Sequence, residues 1–227
     1  MLPYFRTVIP SDRRHKRSQF QGLATTFRRS TCLFDVRYAA IGRVITRPIG
    51  ISVKIRESVE DDKKPIRKVH LNAFDQSEGE TVSQLAIDLL EDKTALPILS
   101  LVAEQDNEII GNVIFSSVNI DGAEGVSAYI LAPLAVTRFA QRKGLGTLLI
   151  NKGIETLKER GAEIVFVYGD PNYYMRTGFK AGHSLKPPYK LRYPEEAWMA
   201  QELAESILTK TQGTVRCAMS LSSPEYW

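Results

Sequence analysis

Residues 134–147 read LAVTRFAQRKGLGT. The apolar run Leu134, Ala135 and Val136 ends at a short basic loop, and from Leu145 the pattern changes period. Leu145, Leu149, Ile150, Ile154 and Leu157 fall on one side of a helix, and Asn151, Glu155, Lys158 and Glu159 on the other. A strand therefore stops at Val136 and a helix begins near Gly144, running to Arg160. The first N–H groups of such a helix lack internal partners and face the positive end of the macrodipole. Gly144 and Gly146 carry no Cβ to hold a ligand off the backbone, and Arg142 and Lys143 add formal charge. A bare Gly-x-Gly also serves plain turns. With a strand before it and a helix after it, the segment Gln141–Thr147 reads as a pyrophosphate site.

The elements around this segment alternate in an interpretable order. Ile51–Arg56 alternates apolar and polar residues as a strand does. Asp61–Gln76 reads as a helix with Ile66, Val69, His70 and Ala73 on one face. Ser77–Glu80 reads as a turn, and Thr81–Leu90 as a second helix. Ile98–Glu104, Glu108–Ile120 and Val126–Val136 are strand runs separated by the turns Gln105–Asn107 and Asp121–Gly125. Three successive antiparallel strands is the economical interpretation. After the signature helix, in which Gly153 permits close approach to a sheet, come a buried strand at Glu163–Tyr168 and a short helix from Pro171 to Arg176. A proline-rich loop at 182–194 and closing strands at Ala197–Leu203 and Gly213–Ser220 follow. Residues 51–227 thus read as one α/β domain with a mixed, mostly antiparallel sheet and flanking helices.

The chain has 227 residues, 43% hydrophobic and 25% charged, a composition that excludes a disordered chain or a fibre. Its longest useful apolar run, Tyr129–Val136, is far short of the roughly 20 residues of a membrane span and contains Pro133. Two cysteines, Cys32 and Cys217, build neither a disulfide framework nor a thiolate zinc site, and three scattered histidines show no metal-ligand spacing. No metal is expected. The net charge of +4 is unevenly placed: residues 1–50 hold ten Lys and Arg against two acids, Asp12 and Asp35, while the rest holds 20 against 24. The body offers no nucleic-acid footprint. The leader, 1–50, is open to three readings: an organellar targeting segment, a basic arm for anionic polymers, or upstream sequence without a role in the fold. The last is preferred, with a cytoplasmic protein as the expectation.

Gln141-Arg142-Lys143-Gly144-Leu145-Gly146 resembles the Gln/Arg-x-x-Gly-x-Gly/Ala signature of the GNAT superfamily of N-acetyltransferases. The order of elements over about residues 53–220 is similar too. A second motif, Gly169-Asp170-Pro171-Asn172-Tyr173-Tyr174-Met175-Arg176-Thr177-Gly178-Phe179, together with Leu131–Val136, is similar to a bacterial branch of that superfamily. The resemblance implies a bulged strand before the signature that splays from the next, parallel strand. Pro133, with no N–H to give to a ladder, fits such a break. The gap would admit the pantetheine arm of acetyl-CoA as cosubstrate. Main-chain groups of Leu134, Ala135 and Val136 would bond it, and Gln141, Arg142, Lys143, Gly144, Leu145, Gly146 and Thr147 would hold its pyrophosphate. Tyr174, four residues before Gly178, is placed by the resemblance near the sulfur, as the general acid for the departing thiolate. Tyr173 faces elsewhere on so short a helix. Asn172 departs from the usual family position and is not carried over.

The implied reaction is acetyl transfer to a primary amine by direct attack in a ternary complex. Glu104, Glu78 and Glu80 are candidate bases for the amine proton. Each also reads as a solvated surface charge, a water chain could serve instead, and none is selected. His70 reads as a packed core-edge histidine, His183 as a neighbour of the acceptor pocket, Cys217 as a small buried hydrophobe, and Trp198 and Trp227 as core and tail anchors. The competing function is an acyl-CoA-binding sensor or interaction module without catalysis, which needs the phosphate loop but not Tyr174. Nucleic-acid binding through the leader is a more distant third. A homodimer through the closing strands is a further expectation.

Overall fold

The computed structural model describes residues 53–227. The leader and its expected roles lie outside the described residues. Among the described residues seven strands form the sheet: β1 (Lys54–Glu57), β2 (Ile98–Gln105), β3 (Glu108–Ile120), β4 (Ala128–Val136), β5 (Ile164–Tyr168), β6 (Trp198–Glu202) and β7 (Val215–Arg216). Their order is β1-β2-β3-β4-β5-β6, with β7 on the far end of β3. Neighbours are antiparallel except β4 and β5, which run parallel. Asp106 and Asn107, both at positive φ (52° and 64°), turn β2 into β3 with the backbone hand that suits a tight hairpin. The mixed, mostly antiparallel sheet expected from the sequence is thus the observed one.

Alternation along the strands feeds two cores. Leu99, Leu101, Val113, Phe115, Leu131, Val165 and Val167 face helix α3 (Leu145–Glu159). Val102, Ile114, Ile130, Phe166 and Trp198 face the other way, toward Ile66 of helix α1 (Lys63–Ala73) and Leu85 and Leu89 of helix α2 (Gln76–Glu91). β5 is buried on both faces, which explains its unbroken apolar sequence. Gly153 lies in α3 against the fully buried ring of Phe115, and any Cβ there would collide with that ring. The helix therefore sits closer to the sheet than a side chain would allow.

Two local expectations are corrected. Ser77–Glu80 is not a turn but the opening of α2. The break falls at Phe74–Asp75, where the Gly79 N–H closes the first helical turn on Asp75 O at 2.7 Å. Gly79 lets this turn lie on α1, since a Cβ there would stand 3.1 Å from Leu71 O. Packing against α1 outweighs the polar, turn-like composition. Gly213–Ser220 is not a full strand either. The strand within it is short, Val215 and Arg216 paired with Ile120 and Asn119, because Ser220 is drawn to Asp92 by bonds of 2.9 Å from its N–H and 2.8 Å from its hydroxyl. A one-turn helix, α5 (Ile207–Lys210), precedes that strand. At the other end of the domain Asp62 does more than favour a helix N-terminus. Its carboxylate takes two bonds from Arg56 (2.6 and 3.0 Å) while the Arg56 Nε reaches Glu104 at 2.9 Å, tying β1, α1 and β2 together.

Candidate functional site

The parallel pairing of β4 with β5 runs from Ala128↔Ile164 to Leu131↔Val167 and stops there. Opposite β3, the register shifts between Val113↔Leu134 and Phe115↔Leu131, so Ala132 and Pro133 together face Ile114 alone. This is a β-bulge on β4, and beyond it the strand bends away from β5. The Thr137 N–H donates to Ile110 O at 2.9 Å, and Ala135 stands opposite Asn112. By alternation, the N–H and C=O of Ala135 point to β3, and those of Leu134 and Val136 point to the opened side. The main-chain groups presented to the gap are therefore those of Leu134 and Val136; Ala135 contributes its side of the strand to the ladder instead.

The gap leads to the start of α3. Gly144 is its N-cap, at φ 80°, with open space where a Cβ would be, and Arg142 before it is also left-handed at φ 62°. Both Arg142 and Lys143 are exposed. Gln141 is not pointed outward: its Nε2 donates to Val136 O at 2.9 Å and to Ala73 O at 3.3 Å, fastening the loop to β4 and to the end of α1. Gly146 serves a different end from Gly144. A Cβ there would strike the Tyr173 hydroxyl, which hydrogen-bonds Thr147. Burial is the main cause that raises the Tyr173 pKa, so that hydroxyl stays protonated. Leu134, Val136, Gln141, Arg142, Gly144, Gly146, Thr147 and Tyr173 line one cavity, with Ala135 and Leu145 in its wall.

Helix α4 (Pro171–Tyr174) is set by its own sequence. The Asp170 side chain accepts the Asn172 N–H at 2.9 Å, and Pro171 takes the first helical position. Successive residues then diverge. Tyr173 faces the α3 terminus, with the Arg176 guanidinium 5.6 Å from its ring centre. Tyr174 is buried, edge-on to Tyr173 (5.1 Å) and to Phe179 (5.9 Å), and Gly169 makes room for its ring. It lines a second cavity with Ile130–Leu134, Phe74, Tyr168, Leu221, Tyr226 and Trp227. Phe74 and Leu134 border both cavities, so the two are neighbours on either side of these residues.

Several of these wall residues escaped the sequence reading. Phe74 is held by Arg138, which donates to Phe74 O at 2.7 Å and to Asn72 O at 2.9 Å. A cation on the last carbonyls of α1 is a familiar helix stop, but its partner lies on another element. Tyr168, Leu221, Tyr226 and Trp227 carry no local signal of a shared site. Among the candidate bases, Glu104 is bonded to Arg56 and lines a different groove, Glu80 is exposed and 3.6 Å from Arg67, and Glu78 is buried in the first turn of α2. His183 does not border the cavity of Tyr174. It packs edge-on to Phe166 (5.8 Å) and Trp198 (5.9 Å), and burial lowers its pKa. His70 is fully buried, its Nε2 at 2.9 Å from Asn112 Oδ1. Burial pushes the Cys217 thiol up to about 12, which favours the protonated form. Among the described residues no cluster of His, Cys, Asp and Glu is arranged to hold a metal ion, and no helix is long and apolar enough to cross a membrane.

Comparison with known proteins fits this geometry. Residues 63–179 match the family model for the acetyltransferase (GNAT) family. The chain is 39% identical over 166 residues to the uncharacterized N-acetyltransferase YjhQ of Escherichia coli K12, covering 70% of this chain and 88% of that protein. A crystal structure of the GNAT family N-acetyltransferase YhbS from Escherichia coli, in complex with CoA, superposes with a TM-score of 0.69 at 30% identity. It covers 76% of this chain and 93% of that one. A GNAT family acetyltransferase from Brucella melitensis, in complex with acetyl-CoA, superposes with a TM-score of 0.57, also at 30% identity, over 76% of this chain and 99% of that one.

Proposed function

The chain belongs to the GNAT family of acetyltransferases, and on that premise we propose that it transfers an acetyl group from acetyl-CoA to a primary amine by direct attack in a ternary complex. The observation that carries this reading is the parting of β4 from β5 after Leu131, with one cavity at the α3 terminus and an adjoining one at the Tyr174 ring. Two relatives of the same fold were crystallised with CoA or acetyl-CoA, which supports the same carrier here.

The residues divide the work. The Gly144–Gly146 turn presents N–H groups and the helix dipole to the pyrophosphate, with Arg142 and Lys143 as counter-charges. Leu134 and Val136 offer main-chain groups to the pantetheine arm, which pairs with β4 as an added strand. A donor of that kind near the carbonyl also stabilises the oxyanion of the tetrahedral intermediate. The amine, in its neutral form, gives its lone pair to the acetyl carbon. When the C–S bond breaks its electron pair stays on sulfur, and the Tyr174 hydroxyl donates a proton to it. The proton released by the nitrogen passes to solvent and Tyr174 is reprotonated.

The test is calorimetry with acetyl-CoA followed by a thiol-release assay over a panel of amines. Binding with amine-dependent release of thiol is expected. Binding without turnover on any amine would favour the sensor module, and no heat with acetyl-CoA would remove both readings.

A further inference from the structure

The cavity that holds Tyr174 has an unusual lining for a site that handles an amine. Its walls are Phe74, Tyr168, Tyr226, Trp227, Leu221 and the β4 bulge; among the described residues no charged side chain lines it. The charges lie elsewhere. Lys64, Lys68, Glu104 and Glu108 line the groove between α1 and the β2–β3 hairpin, and Lys186, Lys190, Glu195 and Glu196 line the one beside His183. A polycationic acceptor would bring ammonium groups into the Tyr174 cavity with no carboxylate there to replace their lost hydration. An aromatic or alkyl body would instead gain the burial of apolar surface and ring-to-ring contact.

The aromatic wall is held in place before any ligand arrives. Trp227 stacks on Tyr168, with centroids 5.9 Å apart and planes 18° from parallel, and meets Trp198 edge-on at 5.8 Å. Its Nε1 donates to Leu221 O at 3.1 Å, and the segment from Met219 is fastened to the end of α2 through Thr94 (2.9 Å) and Asp92.

We propose that the acceptor of this site carries its primary amine on an aromatic or apolar body, seated between Phe74, Tyr168, Tyr226 and Trp227, and is not a polyamine or a lysine-like cation. The inference rests on the transferase reading above and narrows it to a substrate class. It assigns the apolar space to the amine, so a longer acyl chain on CoA is the competing occupant.

The test measures thiol release by the full chain with acetyl-CoA and four amines: 2-phenylethylamine, hexylamine, spermidine and lysine amide. At least a tenfold higher kcat/KM is expected for the first two. Tyr226→Ala should raise KM for 2-phenylethylamine about tenfold and leave the calorimetric affinity for acetyl-CoA unchanged. Equal rates, or preference for spermidine or lysine amide, overturns the inference and leaves the transferase reading standing. So does a preference for hexanoyl-CoA over acetyl-CoA that is the same for every amine. The chain has two tryptophans, so Trp198→Phe leaves Trp227 as the reporter of binding without turnover. With CoA present, 2-phenylethylamine should quench it saturably and spermidine should not; no quenching by the aromatic amine sinks the inference even if no amine reacts. Absence of heat with acetyl-CoA sinks the transferase reading itself and this inference with it.

Discussion

His70 makes acid stability a measurable consequence of the fold. Its ring is fully buried on α1, and Asn112, whose Nδ2 donates to Leu101 O at 2.9 Å and to Ser100 Oγ at 3.1 Å, has its Oδ1 turned to the histidine. That orientation places the proton of neutral His70 on Nε2. Burial lowers its pKa to about 4, against the opposing effect of the hydrogen bond that it donates to Asn112. In the unfolded chain it titrates near 6.5, so below that pH the unfolded state binds a proton that the folded state refuses. Stability is then flat above about pH 6.5 and falls as pH drops toward 4. The shift corresponds to about 3 kcal/mol in full, of which about 2 kcal/mol is lost between pH 8 and pH 5. His183 is lowered in the same sense, so a difference measurement is needed. Asp92, whose burial is outweighed by bonds from Thr94 and Ser220 that hold it at about 2, titrates below this window. His70→Gln keeps a donor for Asn112 and removes the titration. Urea unfolding of both proteins from pH 8 to 5 should show the wild type losing about 2 kcal/mol more than the variant. Parallel curves through that window would falsify the assignment of a neutral, desolvated imidazole.

The remaining predictions concern the cleft and the core. Tyr174→Phe keeps the ring that packs on Tyr173 and Phe179 and removes the acid. It should cut kcat about 10²-fold with little change in melting temperature, and an unchanged kcat would leave Tyr174 a packing residue. Tyr173→Phe is its control, expected to alter acetyl-CoA affinity more than kcat, as read by calorimetry. Gly146→Ala drives a methyl into the Tyr173 hydroxyl and should weaken acetyl-CoA about tenfold, equivalent to about 1.4 kcal/mol. Binding at wild-type strength would mean that the α3 terminus is not the phosphate site. Gly153→Ala gains about 1 kcal/mol of helix propensity but forces the buried Phe115 ring aside, at a cost of about 1–3 kcal/mol. Denaturant melts should show net destabilisation; a stabilised variant would refute the close approach.

Much of this molecule is legible along the chain because the deciding interactions are local. Glu108–Ile120 is a strand with the expected bounds since its alternation and its flanking turns are written in consecutive residues. Gly144 at the start of α3 and Asp170-Pro171 at the start of α4 are likewise local chemistry: a left-handed φ, a side-chain cap and a missing N–H. Where local and tertiary preferences disagreed, the tertiary ones prevailed. Ser77–Glu80 became helix because Gly79 rests on Leu71, and residues after Arg216 left the sheet because Asp92 holds Ser220.

By itself the sequence determined the order of elements, the glycine turn before α3 and the pairing of Tyr173 with Tyr174 on one short helix. Only the tertiary structure decided which main-chain groups of β4 face the gap, since a one-residue bulge sets that alternation. It alone brought Phe74, Tyr168, Leu221, Tyr226 and Trp227 around Tyr174. The physical reason is range. Caps, turns and periodicity act over a few residues, whereas a cavity wall is made of side chains far apart in the chain, whose meeting depends on how whole elements pack.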